Sequence, residues 1–453
     1  MIASTKRLIG VGAVAAAMAT AACSNFLSVE NPSSVDVNKL TDSTNAALLV
    51  NGVIGQFQGM VANTAMYGGL LADESRSAHV NISFAPVDLR TVANTNDLVN
   101  GVYAPIQRTR YAGDSTADRL KGYLGAGASK DLRVARVLAL AGYGYVFIAE
   151  TFCGAPIGGG ATQTPQQLFQ LAAPRFDEAI AVVRAAKAAG GLSPAANASA
   201  DSILNLALVG AARAALDLGD KPKALSYATQ VPATGFEFRT YYAEGNPPTP
   251  GLPVNPYYNA MGVPSTSATS PNGFAYSSGS LWLVVDTAFI GLKDPRVPTT
   301  LSRVAAMNGS AQFVANKPRS FGGYVAPTTA QPAGAAMTPG ASIRVASSLE
   351  AQYIIAEVNG VAATRAFVNA QRAANGQPVS TATSADAILA DLRDQKRREF
   401  YLDGHRLGEI RRYKAQYNVD FFPAGANYGT VECFPIPFSE LNANPNATRN
   451  PTR

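Results

Sequence analysis

Between positions 131 and 152 the chain reads DLRVARVLALAGYGYVFIAETF, and this stretch limits the fold more than any other. Leu132, Val134, Val137, Leu138, Ala141, Tyr145 and Ile148 recur at helical spacing and leave little of the circumference polar. Such a helix has to be surrounded, because apolar surface left in water forfeits about 25 cal/mol per Å². The chain therefore needs other helices to enclose this one. Helical periodicity supplies them at 38–58 (Leu40, Ala47, Leu48, Val50 and Ile54, with Thr41 or Ser43 as cap), 98–112, 164–189 and 198–219. It returns at 222–231, 342–359, 361–374 and 385–403. Pro165 stands near one helix start and Gly404 suits the left-handed position that closes another.

Ala211–Leu216, Gly219-Asp220, Lys223-Ala224 and Tyr227-Ala228 resemble a tetratricopeptide helix–turn–helix, in which small residues let neighbouring helices approach closely. No clean 34-residue period runs along the chain, so the scaffold is expected to be a set of irregular helical hairpins.

From 234 to 341 the pattern changes. Pro, Gly, Ser, Thr, Asn and Tyr dominate and helical periodicity disappears. A run this long inside one protein reads as a functional, loop-rich subdomain rather than a linker. Tyr241, Tyr242, Tyr257, Tyr258, Phe274, Tyr276, Trp282, Phe321 and Tyr324 all fall in it. Sugar rings present C–H faces that stack on aromatic rings, and sugar hydroxyls need amide, carboxylate or guanidinium partners. Asn255, Asn259, Asn272, Asp286, Asp294 and Arg296 are such partners by type. Trp282 and Tyr276 are the candidate stacking residues, against the plainer reading that Trp282, inside SLWLVVDTAFIGL, is core.

The stretch 385–413 carries Lys396, Arg397 and Arg398 among Asp391, Asp394, Glu399 and Glu409, which reads first as two helices clamped by ion pairs. It also carries a resemblance. Arg397-Arg398-Glu399-Phe400, Asp403-Gly404-His405-Arg406 and Glu409-Ile410-Arg411-Arg412 resemble the C-terminal signature of the SusD/RagB family, outer-membrane lipoproteins that bind nutrients and cap a TonB-dependent transporter of the SusC type. Cys433-Phe434-Pro435-Ile436-Pro437, Ser439-Glu440 and Asn442-Ala443-Asn444-Pro445-Asn446 resemble that family's closing segment. Further matches are Glu150–Pro156, Ser348–Glu357 and the VNAQRAANG run at 368–376, the resemblance being specific after Ser347 and loose before Asp131. The resemblance implies a mostly α-helical, tetratricopeptide-like scaffold with one loop-rich subdomain, and a ligand-facing surface near the polar loop 68–79, which holds Asp73, Glu74, Arg76 and His79. Arg76 and His79 are its candidate ligand residues.

The N-terminus fits an exported, anchored protein. Lys6 and Arg7 precede a short apolar run, and Thr20-Ala21-Ala22-Cys23 places small residues before a cysteine, as in a bacterial lipoprotein signal. Acylation at Cys23 would anchor the chain, since each buried methylene adds about 0.8 kcal/mol. Thr20 departs from the usual Leu, and plain secretion with cleavage after Ala22 is the alternative. No later stretch reads as apolar for long enough to span a membrane. Removing Lys6 and Arg7 leaves 35 basic against 31 acidic side chains, too small a surplus and too dispersed for nucleic-acid binding. Cys153 and Cys433 remain, and in an exported chain they could pair, although nothing in the sequence shows that they meet. With only His79 and His405, His-rich metal sites are excluded and no metal is expected. Gly158–Gly160 lacks the Lys and spacing of a phosphate loop, so no nucleotide or other cofactor is expected.

The expected layout is a lipoprotein signal at 1–22, a tether at 23–37, an N-terminal helical scaffold at 38–233, the loop-rich ligand-binding subdomain at 234–341, and a C-terminal helical part at 342–453. The expected function is capture of an oligosaccharide, or else a peptide, at the outer surface, by a non-enzymatic lid on a SusC-type TonB-dependent barrel. The rivals are a secreted glycosidase with paired carboxylates, for which no pair stands out from the ion-pair background, and a protein-binding tetratricopeptide adaptor.

Overall fold

A computed structural model describes residues 43–77, 82–242, 283–289, 292, 294–297, 299–305, 312–318 and 342–449. Met1–Ala46 and Ala47–Arg453 are separate units, and of the first only 43–46 is described. The signal, the tether, Cys23, His79, Tyr276 and Trp282 therefore lie outside the described residues.

Helix α1 (Ala46–Leu71) is followed by β1 (Ser75–Ser77) and a short α2 (Ala85–Asp88). Then come α3 (Asp97–Leu124), α4 (Leu132–Thr151), α5 (Pro165–Ala189), α6 (Pro194–Asp217) and α7 (Lys221–Ala228). Each of these last five starts on a side chain that accepts a backbone N–H: Asn96, Asp131, Thr164, Ser193 and Asp220. Thr164 and Gln167 form a reciprocal capping box. Consecutive helices pack on one another from α3 to α7, the arrangement of successive hairpins expected from the sequence.

Helix α4 is the enclosed one. By length and composition it is apolar enough to cross a membrane, contrary to the sequence reading, yet 83% of its apolar window is buried by neighbouring helices. It packs against α3, α5 and α6. Close approach depends on missing side chains: a Cβ on Gly113 of α3 would fall 2.7 Å from Ala141 Cβ.

The C-terminal part comprises β8 (Ile343–Ser347), α8 (Ser348–Val358), α9 (Val361–Ala374), α10 (Ala385–Glu399), α11 (Arg406–Tyr417) and α12 (Phe438–Ala443). Tyr353, Ala356, Val368, Leu392 and Phe400 form its own apolar cluster. Among the described residues, four two-stranded antiparallel pairs decorate the helices. They are β1 with β5 (Leu283–Val285), β2 (Ala155–Pro156) with β3 (Thr162–Gln163), β4 (Glu237–Thr240) with β8, and β6 (Thr299–Ala305) with β7 (Gln312–Pro318). Thr240 and Ile343 are register partners, so the segment 241–342 departs from and returns to one point of the β4–β8 pair.

Several element boundaries differ from the sequence reading. The helix expected at 342–359 begins as a strand, because Ile343–Ser347 is buried on both faces and pairs with β4 before Ser347 caps α8. Residues 68–71, read as polar loop, complete α1, where Leu70 and Leu71 are fully buried. The helix expected to end at Asp403-Gly404 stops at Glu399. Gly404 has φ +90°, and a Cβ there would meet Ala65 at 3.3 Å.

Candidate functional site

The signature helices α10 and α11 hold a dense set of ion pairs, and most of it reaches beyond the pair of helices. Within the segment, Lys396 lies 2.8 Å from Glu409, and Arg397 and Arg398 pair with Asp394 at 2.8 and 2.6 Å. The remaining partners are distant in sequence. Arg406 grips Asp73 at 2.5 and 2.6 Å, Arg412 grips Glu357 at 2.5 and 3.0 Å, and Arg344 reaches Glu399 at 2.9 Å. Arg411 donates to the carbonyls of Ala149, Glu150 and Phe152 and so closes the C-terminus of α4. The strip is thus a clasp between the N-terminal helices and the C-terminal part, wider than the expected two-helix clamp.

At the centre of the clasp Arg213 makes a bidentate pair with Glu150, both contacts 2.6 Å, and His405 sits between Asp403 (2.6 Å) and Glu350 (3.1 Å). Burial and the nearby Arg213 push the imidazole pKa down, but these two carboxylates outweigh them and hold it at about 9. Around these groups lies a narrow void with room for about one water. Each carboxylate that lines it is buried and ion-paired, so the void offers no carboxylate to a substrate. This region is structural.

A different cluster faces solvent. Arg76 on β1 directs its Nε to Asp88 Oδ1 at 3.3 Å and its Nη1 to Asp286 Oδ2 at 3.2 Å. Its guanidinium also lies 5.2 Å from the ring centroid of Tyr428. The Arg76 side chain is 32% exposed, while Asp88 and Asp286 stand behind it at 10% and 7%. Each member is held by backbone. Arg76 is the register partner of Val284 in the β1–β5 pair. Asp88, at the end of α2, accepts from Ser77 N at 2.9 Å. Asp286 donates its N–H to Glu74 O and accepts from Ala288 N at 2.8 Å. Tyr428 is fixed through its neighbours: Gly429 N donates to Leu89 O and Val431 N to Arg90 O. Burial raises both carboxyl pKa values, only partly offset by these N–H donors and by Arg76.

No protein-family profile and no curated protein matches the chain. Solved structures do. A SusD homolog from Bacteroides thetaiotaomicron superposes with TM-score 0.65 at 13% identity, covering 92% of this chain and 99% of that one. A SusD superfamily protein from Parabacteroides distasonis gives 0.64 at 14%, covering 91% and 100%. A third, described as a laminarin binding SusD-like protein, gives 0.59 at 16%, covering 93% and 100%. The chain has the SusD fold.

On this SusD fold the residues singled out in the sequence separate into three groups. Arg76 and Asp286 are brought together from positions 210 apart. Asp294 and Arg296, expected as hydroxyl partners, are instead buried and bound to each other at 2.7 Å, with Arg296 also on Gln395. They are structural because the α10 face they cover carries Gln395, Arg398 and Glu399. Asp73 is spent on Arg406, and Glu74 is fully buried, its carboxyl accepting from Leu402 N, with a pKa that burial pushes well above the usual range. Tyr242 is buried and donates to Gln58 O, whereas Tyr241 is 60% exposed. Asn255, Asn259, Asn272, Tyr276, Trp282 and His79 lie outside the described residues. Ser77 and Leu283 are register partners, however, so in chain order His79 follows and Trp282 precedes one step of the same strand pair. Asp88 and Tyr428 joined the cluster without any local sequence signal: Asp88 is placed by Ser77, eleven residues earlier, and Tyr428 by the contacts of its neighbours with Leu89 and Arg90.

The structure also bonds Cys153 to Cys433, with Cα atoms 5.1 Å apart. Beside the bond Cys153 N donates to Phe434 O and Phe434 N to Thr151 O, so the closing FPIP segment runs parallel to the end of α4.

Proposed function

We propose that this protein captures an oligosaccharide at the outer surface of a Gram-negative cell and delivers it to a SusC-type TonB-dependent barrel. The observation that carries this is the SusD fold over nine-tenths of the chain together with a solvent-facing Arg76–Asp88–Asp286–Tyr428 cluster on the β1–β5 pair. A guanidinium backed by carboxylates and flanked by a tyrosine ring is suited to sugar hydroxyls and C–H faces. The laminarin-binding neighbour supports the same ligand class. The excursion 241–342, rooted at one point of the scaffold, is the natural place for ligand choice, and Trp282 and Tyr276 in it are the proposed stacking partners. Lipidation at Cys23 would hold the chain at the membrane.

A gentle detergent pull-down from native outer membranes, with mass spectrometry, tests the partnership: a stoichiometric TonB-dependent barrel is expected. Recovery of the protein alone, able to cleave glycans, would overturn both the partnership and the non-enzymatic reading. For the ligand, Arg76→Ala is expected to weaken binding of the recognised glycan at least about tenfold, about 1.4 kcal/mol.

A further inference from the structure

The Arg76 cluster also bears on which sugars are taken. This inference rests on the oligosaccharide reading and goes beyond it to charge. Arg76 contributes one positive charge, and Asp88 and Asp286 face it at 3.3 and 3.2 Å. With both carboxyls ionised the cluster carries one surplus negative charge. Burial raises both of their pKa values, and each raises the other's or is raised by a neighbouring acid: Asp286 acts on Asp88, and Asp73 on Asp286. If one carboxyl takes up a proton, the cluster becomes neutral. It is positive in neither state. A uronate or sulfate placed against the exposed edge of Arg76 would compete with two carboxylates already seated behind that guanidinium, and desolvating it there would leave it without a cation of its own.

The surrounding described cations are committed elsewhere. Arg90 donates to Val431 O and Pro423 O and stacks over Phe422. Arg406 is bound to Asp73, and Arg397 to Asp394. A neutral sugar meets no such penalty, since its hydroxyls accept from the exposed edge of the guanidinium and its C–H face can lie on Tyr428. We infer that Asp88 and Asp286 act as a charge filter, making this a site for uncharged oligosaccharides that rejects uronic-acid and sulfated chains.

The test is affinity electrophoresis and calorimetry of the full mature chain against two sets of probes. The neutral set is laminarin, xylan, mannan and dextran; the anionic set is polygalacturonate, alginate and chondroitin sulfate. Binding within the neutral set is expected, with affinity for every anionic probe at least tenfold weaker. The Asp88→Asn/Asp286→Asn double variant keeps an oxygen for Ser77 N and for Ala288 N while removing both charges. It is expected to gain at least threefold in affinity for polygalacturonate at low salt, the gain disappearing when Arg76→Gln is added. If the double variant fails to fold by circular dichroism, Asp286→Asn alone is read in the same way. Wild-type protein that binds an anionic probe and loses it on Arg76→Gln would overturn the filter while leaving the oligosaccharide reading intact. No gain in the Asn variants would also overturn it. Binding of no glycan from either set would remove the oligosaccharide reading itself.

Discussion

The ring of Phe176 occupies the place where a side chain on Gly210 would stand: a Cβ on that glycine would fall 2.5 Å from Cε1 and Cζ. Gly142 of α4 approaches the same ring from another helix, with its own Cβ position 2.7 Å from Cε1. One aromatic side chain of α5 is thus seated between the glycines of two neighbouring helices, and this is how α5 and α6 come close enough to enclose α4. Gly210→Ala is therefore expected to overpack the core and cost about 1–3 kcal/mol. Urea unfolding should show a lower midpoint with an unchanged slope. A variant as stable as the parent would mean the ring moves aside without cost.

The bond between Cys153 and Cys433 joins positions 280 apart and fastens the closing segment to the end of α4. Loop-closing crosslinks stabilise mainly by restricting the unfolded chain, typically by about 2–5 kcal/mol for a native bond. Cys153→Ser/Cys433→Ser is expected to lower the unfolding free energy by that much. Reduction of the parent should lower its melting temperature, and the double variant should be insensitive to reductant. Two free thiols in the untreated exported protein would contradict the bond.

The scaffold was legible where physics is local. The wrapped helix at 131–152, the helix start beside Pro165 and the turn at Gly219-Asp220 all follow from periodicity and from turn chemistry within a few residues. Boundaries failed where a tertiary partner decided them. Ile343–Ser347 becomes a strand only because β4 lies beside it, and Leu70–Leu71 stay helical because they are buried. Of the candidate cluster, two members were visible. Arg76 and Asp286 were singled out by residue type, but what joins them is the β1–β5 register, and Asp88 and Tyr428 enter through backbone contacts with Ser77, Leu89 and Arg90. No one-dimensional pattern carries such pairings. The same limit explains Asp294 and Arg296, polar by type yet buried against α10.

Glu150 and Arg213 form a bidentate pair in the middle of the clasp, both side chains at most 7% exposed. Removing one member of such a pair strands the other charge away from water, at a cost of about 3–5 kcal/mol. Glu150→Ala is expected to destabilise by that amount. Glu150→Met/Arg213→Met, which removes both charges, should cost clearly less than the two single changes added together. Additive single and double effects in a double-mutant cycle would show that the pair is not coupled.

His405 makes the alkaline side of the stability profile predictable. The imidazole is enclosed by Asp403, Glu350 and Arg213 and stacked on Phe400 at 4.7 Å, and its pKa is raised from the ordinary 6.5 to about 9. Because the folded protein holds the proton more tightly than the unfolded chain, this contribution is complete below pH 6.5 and is lost as pH rises through about 9. The difference corresponds to roughly 3 kcal/mol. Between pH 6.5 and 9.5 the parent should therefore lose more stability than His405→Gln, which has no proton to give up. Denaturant unfolding at closely spaced pH values measures the two curves. Parallel curves would show that the imidazole is already neutral in the fold, its single N–H shared with only one of the two carboxylates.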